Sequence, residues 1–122
     1  MSKRPRDEAR EERIAMEIVV DAHDEEERAL GWYYYLENTL TFPFLARCRA
    51  RRAISPLQVG DEVEVIGLAP EEERAGEMFV MIRWEREGLG VPLSQLEVLH
   101  AGKETRQAVE DWLYWVDQGY QF

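Results

Sequence analysis

Cysteine and histidine are nearly missing from this 122-residue chain: Cys48 is its one thiol, and His23 and His100 are its two imidazoles. A single cysteine excludes an internal disulfide and any cysteine-built zinc site within one chain. His23 lies among acids, His100 follows a strand end, and no serine or cysteine stands in a nucleophile elbow, so nucleophilic catalysis has no machinery here. Phosphate loops and dinucleotide fingerprints are also absent, since Gly88-Leu89-Gly90 sits in a hairpin with no helix after it. No apolar run approaches the roughly 20 residues of a membrane span. Met1 is followed by SKRPRDEAREER rather than a signal-peptide core, and the expectation is a cytoplasmic protein with no membrane partner. Cys48 falls in an alternating strand pattern, which points to a buried structural thiol.

Acid, in contrast, is plentiful. Asp and Glu number 25 against 15 Lys and Arg, for a formal net charge of −10. The acids come in knots beside aromatic-rich helices: Asp21 with Asp24-Glu25-Glu26-Glu27, then Glu71-Glu72-Glu73, then Glu110-Asp111. Crowding like charges costs energy unless something positive sits among them. Solvent counter-ions, a basic partner or a hard divalent cation could each fill that role.

A hydrophobic content of 45% with 11% aromatics describes a globular chain of one domain. Residues 1–13 hold five basic and four acidic residues and almost nothing apolar, and read as a disordered, charged extension. The domain proper is expected over 14–122, with the apolar run 14–20 as a first strand or a short buried lead-in. A helix starts at Asp24, an N-cap with Glu27 three residues on. Its apolar positions are Ala29, Leu30, Tyr33, Tyr34, Leu36 and Leu40, and Pro43 closes it. Short strands follow over about 44–51, 62–66, 78–84, 91–93 and 97–99, joined by turns at Ser55-Pro56, Gly60-Asp61 and Glu85 to Gly90. A last helix spans about 103–118, with Val109, Trp112, Leu113 and Val116 on one stripe and Gly119 past its end. This pattern predicts an α+β fold: a small SH3-like five-stranded β-barrel flanked by an N-terminal and a C-terminal α-helix.

Carboxylates with few imidazoles or thiols favour calcium, magnesium or manganese over zinc or copper. No segment has the spacing of an EF-hand loop. Glu26 and Glu37 share a helix side but lie eleven residues apart, about 16 Å along the axis, so one ion cannot bridge them. The oxygen clusters that remain are Asp21, Asp24, Glu25 and Glu26 before and at the helix start, Glu37 and Asn38 at its end, and Glu71, Glu72 and Glu73 in a loop. The first of these is equally explained as a cap with acids that favour a helix N-terminus. An alternative is a small interaction module that binds protein or nucleic acid through Arg47, Arg49 and Arg51 on one strand, although the net charge weighs against nucleic acid.

Four strings bear on the choice: GWYYYLENTLTFPF from Gly31, SPLQVGDEVEVIGLAPEEE from Ser55, VPLSQLE from Val91 and EDWLYWVDQGYQF from Glu110. In that order they resemble the bacterial CcbP-type calcium-binding proteins, known best from cyanobacteria, over residues 14–122. The resemblance implies an acidic, non-EF-hand protein without catalysis that binds Ca2+ as a cytoplasmic buffer or sensor. Asn38 stands where another carboxylate would make a stronger site, because ligand charge tunes affinity.

Overall fold

The computed structural model describes residues 5–20, 22–69 and 77–119. Its elements run α1 (Glu8–Glu17), α2 (Glu25–Thr39), β1 (Phe44–Cys48), β2 (Glu62–Leu68), β3 (Phe79–Ile82), β4 (Leu89–Pro92), β5 (Leu96–His100) and α3 (Lys103–Asp117). This is an α+β arrangement of one antiparallel sheet and three helices, in which the strands lie in the order β4-β3-β2-β1-β5.

The sheet is open rather than a closed barrel. β4 and β5 are its two edges and do not pair with each other among the described residues. The reason lies at the junction between them. Pro92 ends β4 without an N–H to extend the ladder, and Leu93–Gln95 makes one 3₁₀ turn. The chain then crosses to the far side of β1, where Ala46 faces Val98 and Cys48 faces Leu96.

Alternation sets the two faces of the sheet. Phe44, Ala46 and Cys48 of β1 point inward and are buried, while Leu45 and Arg47 point out. Val63 and Val65, Val80 and Ile82, and Val91 continue the inner face across β2, β3 and β4. Cys48 is therefore the buried thiol its pattern suggested. Helices α2 and α3 cover this face. Trp32 is wholly buried, with Trp112 at 5.0 Å, Trp115 at 5.5 Å and Tyr35 at 6.0 Å between ring centroids. Edge and tilted contacts of this kind suit the aromatic quadrupole. Trp32 was not among the apolar positions read from the sequence, yet it is the residue on which the helix pair closes.

The N-terminal segment departs from expectation. Residues 8–13, read as part of a disordered extension, form the first half of α1, and the run 14–20 is no strand but the end of that helix and the turn after it. Locally, the Asp7 side chain caps the helix by accepting from the Arg10 N–H at 3.0 Å, and Glu8 and Glu11 favour its first turn. Ile14 and Ile18, four apart, then bury on one side. Composition hid this helix because Arg10, Glu11 and Arg13 find their partners in α3, which no local window sees.

The end of α3 follows the expected pattern. Gln118 is the C-cap and Gly119 takes φ +86° beyond it, with its N–H on the Val116 carbonyl at 2.9 Å. Only glycine enters that left-handed region without strain.

Burial in this core yields a direct stability expectation. Leu36→Ala removes a fully buried side chain beneath the aromatic group and should cost about 2–5 kcal/mol in urea unfolding. Glu37→Gln, one residue on and exposed, should stay within about 0.5 kcal/mol of the parent.

Candidate metal centre

The acids fall into two groups once the structure is in view, those held by arginines and those facing water. Asp111 heads the first group. Its side chain is fully buried on α3 and accepts from both terminal nitrogens of Arg13, at 2.9 and 2.5 Å. The Tyr35 hydroxyl donates to the same carboxylate at 2.8 Å, and Arg10 Nε lies 3.3 Å away. A buried carboxylate with a two-pronged arginine and a hydroxyl is a satisfied ion. The bonded carboxylate raises the Arg13 pKa further, and burial together with the bond to Asp111 pushes the Tyr35 phenol up from 10.0 to about 12. Beside them the Tyr114 hydroxyl donates to Glu11 at 2.8 Å and accepts from the Asp7 N–H at 3.0 Å.

As sequence, Asp111 and Glu110 form one acid knot, with no cation directly beside them in the chain. A signal was available: Asp111 adjoins Trp112 on the apolar side of its helix, and Arg10, Arg13 and Ile14 recur at i, i+3 and i+4. A carboxylate on a buried helix face calls for a cation from elsewhere in the chain.

The basic strand is committed in the same manner. Arg47 holds Glu97 at 2.7 Å, Arg49 grips Asp117 at 3.0 and 3.2 Å, and Arg52 grips Glu77 at 2.7 and 3.2 Å. Donating these hydrogen bonds to the Glu77 carboxylate raises the Arg52 pKa. Arg83 pairs with Glu64 across the sheet. β1 ends at Cys48, so Arg49 and Arg51 do not share a strand face with Arg47. Arg51 remains exposed, and the other three guanidiniums of this segment are already bonded to carboxylates.

The second group lies along α2. Asp24 caps it by accepting from the Glu27 N–H at 2.8 Å, and Glu27 accepts from the His23 N–H at 2.9 Å. This is the expected box, except that the returning bond reaches one residue before the cap. Asp24, Glu25 and Glu26 are all exposed. Asp21, predicted to join them, lies outside the described residues, as do Glu71, Glu72 and Glu73.

At the far end of α2, Glu37 and Asn38 are exposed neighbours. The Leu40 N–H closes on the Leu36 carbonyl at 2.9 Å. The Thr41 N–H instead donates to Thr105 Oγ1 at 2.9 Å, which takes from the Glu37 carbonyl its donor four residues on. The two ends therefore differ electrostatically. Amide N–H groups and positive partial charge gather at the start of α2, and carbonyl oxygens with negative partial charge gather at its end. The start suits carboxylates, while the end suits a cation.

The donor chemistry along α2 fits a hard ion, since it consists of carboxylate, amide and carbonyl oxygens. Among the described residues, however, no three His, Cys, Asp or Glu side chains gather closely enough to hold one. A site built from these residues draws on carbonyl, amide or water oxygens as well.

With this geometry in hand, comparison with known proteins places the chain in a class. The family model of CcbP-type calcium binding matches residues 12–116. The chain belongs to that calcium-binding family. It is similar to the crystal structure of Anabaena CcbP, at 41% identity over 100% of both chains and a TM-score of 0.85. It is also similar to a calcium binding protein solved in the calcium-binding form, at 41% identity over 96% of both chains and a TM-score of 0.83. No curated protein sequence matches it. Among the described residues, no helix is long and apolar enough to cross a membrane.

Tyr35 gives the cluster a pH signature. Its phenol ionises later folded than unfolded, so its contribution is complete below pH 10 and is lost as pH rises through about 12. Ultraviolet titration of phenolate should show the Tyr35 step arriving late. Tyr35→Phe should remove that late step and flatten the fall of melting temperature between pH 10 and 12. A late step that persists in the variant belongs to another tyrosine.

Proposed function

We propose that this chain binds calcium reversibly in the cytoplasm, as a buffer or sensor and without catalysis, through the exposed oxygens at the ends of α2 and the acids at 71–73. The observation that carries the reading is the division of the acids. Glu25, Glu26 and Glu37 are exposed and have no basic partner among the described residues, whereas Glu77, Glu97, Asp111 and Asp117 are each held by arginine. The chain thus keeps unneutralised carboxylate at the surface, where a divalent ion relieves repulsion.

Of the two ends of α2, its C-terminus is the better cation site. Glu37 supplies charge, Asn38 supplies an amide oxygen, and the last-turn carbonyls add partial negative charge. Asp24, Glu25 and Glu26 must bind an ion against the positive end of the helix. The acids at 71–73 would bring oxygens from a separate segment. Magnesium should compete poorly, because it demands octahedral geometry and gives up water reluctantly.

Calorimetric titration in physiological salt with magnesium present tests the reading. Saturable calcium binding and a melting temperature that rises with calcium are expected, because an ion that binds only the folded chain stabilises it. Glu37→Gln with Asn38→Ala should weaken the tightest step by about tenfold or more, equivalent to about 1.4 kcal/mol. Glu25→Gln with Glu26→Gln should weaken it less. An unchanged melting curve at millimolar calcium would mean that these acids are plain solvated surface.

A further inference from the structure

We propose that α1 is a releasable strap, a helix that undocks as one unit while α2, α3 and the sheet stay folded. Its apolar anchorage is small. Ile14 is the buried residue of the helix and Ile18, its C-cap, is the next, whereas Met16 and Val20 stay 67% and 53% exposed. The remaining attachments are polar and converge on α3: Arg13 and Arg10 on Asp111, Arg10 near Glu110 at 4.0 Å, and Glu11 and the Asp7 N–H on the Tyr114 hydroxyl. The rest of the fold closes without them. Trp32, Trp112 and Leu36 join α2 to α3, and both helices seal the sheet.

The hinge end of the strap is equally specific. The Ile18 carbonyl comes against Gly31 of α2 so closely that any Cβ there would overlap it. One glycine thereby permits the last turn of α1 to lie flat on α2. Five residues, 19–23, separate the Ile18 cap from the Asp24 cap.

Docked, the strap supplies the positive charge that Glu110 and Asp111 need. Released, it leaves Asp111 with Tyr35 alone from this set and opens both carboxylates to solvent cations. Docking is therefore an internal competition between two arginines and external cations for one acidic pair. Salt should shift it toward release, because screening weakens the partly exposed guanidinium contacts. Segments of low local stability open in this way, below the free energy of global unfolding.

Hydrogen exchange of the full chain, in chelator and without calcium, tests the strap independently of the calcium reading. Amides of residues 11–18 should exchange at least about 100-fold faster than those of residues 109–114 in α3, and faster still in high salt. Arg13→Ala leaves a buried carboxylate short of its main partner, and should speed α1 exchange by a further factor of about ten or more. Gly31→Ala should do the same by displacing Ile18, with no change of charge. Each variant raises the docked state against every open one, so the α3 amides should speed by no more than the same factor and stay about 100-fold behind those of α1. Overturning results are α1 and α3 exchanging at one rate in the parent chain, or at one rate in both variants. Either would show that α1 opens only when the whole domain unfolds.

Discussion

The arrangement of the three helices turns on one buried carboxylate. Asp111 sits within the helical layer, and an ion there is expensive unless every lone pair is used. Its partners come from two other helices: Arg10 and Arg13 on α1, and Tyr35 on α2. Satisfying this one group fixes how the three helices lie together. The edge contact of Trp32 with Trp112 sets the depth of packing on α3, but it does not reach α1. The hydrogen bonds to Asp111 are directional, and they select one rotation of α2 and one position of α1 on α3.

The sheet is built by a different logic and needs little from the ions. Alternation puts one apolar face under α2 and α3, and the outer face carries cross-strand pairs such as Arg47 with Glu97 and Arg83 with Glu64. Such exposed pairs add little stability individually. Their larger effect is on function. They occupy the guanidiniums of a strand that, as sequence, looked like a basic binding face.

Legibility followed the range of the interactions. Helix α2 with its Asp24 cap, the strand alternation, the 3₁₀ turn after Pro92 and the Gly119 end of α3 are local signals and were readable. Closure of the sheet was not, because whether β4 meets β5 depends on where one short turn sends the chain. Helix α1 looks like a charged extension in sequence, since its charged side chains look solvated until Asp111, about a hundred residues away, is placed beside them. The acids of the candidate site were readable as oxygen clusters. Their ranking required the backbone, because only the caps show which end of α2 presents N–H groups and which presents carbonyls.

The same pairing concentrates the acidity of the protein where it can act. With 25 acids and 15 bases, every arginine that closes a structural pair is withdrawn from the surface as a counter-charge. Arg13, Arg49 and Arg52 are each held by two or more hydrogen bonds, so the positive charge is pinned at fixed sites within the fold. The net −10 is then carried by side chains such as Glu25, Glu26 and Glu37 that have no such partner among the described residues. A surface of this kind attracts cations of any sort at long range, and screening limits that attraction to about 8 Å in physiological salt. Long-range charge therefore cannot separate calcium from magnesium. That choice rests on whether flexible carbonyl, amide and carboxylate oxygens can replace most of the ion's water. Calcium, with its variable coordination, allows this more readily than magnesium does.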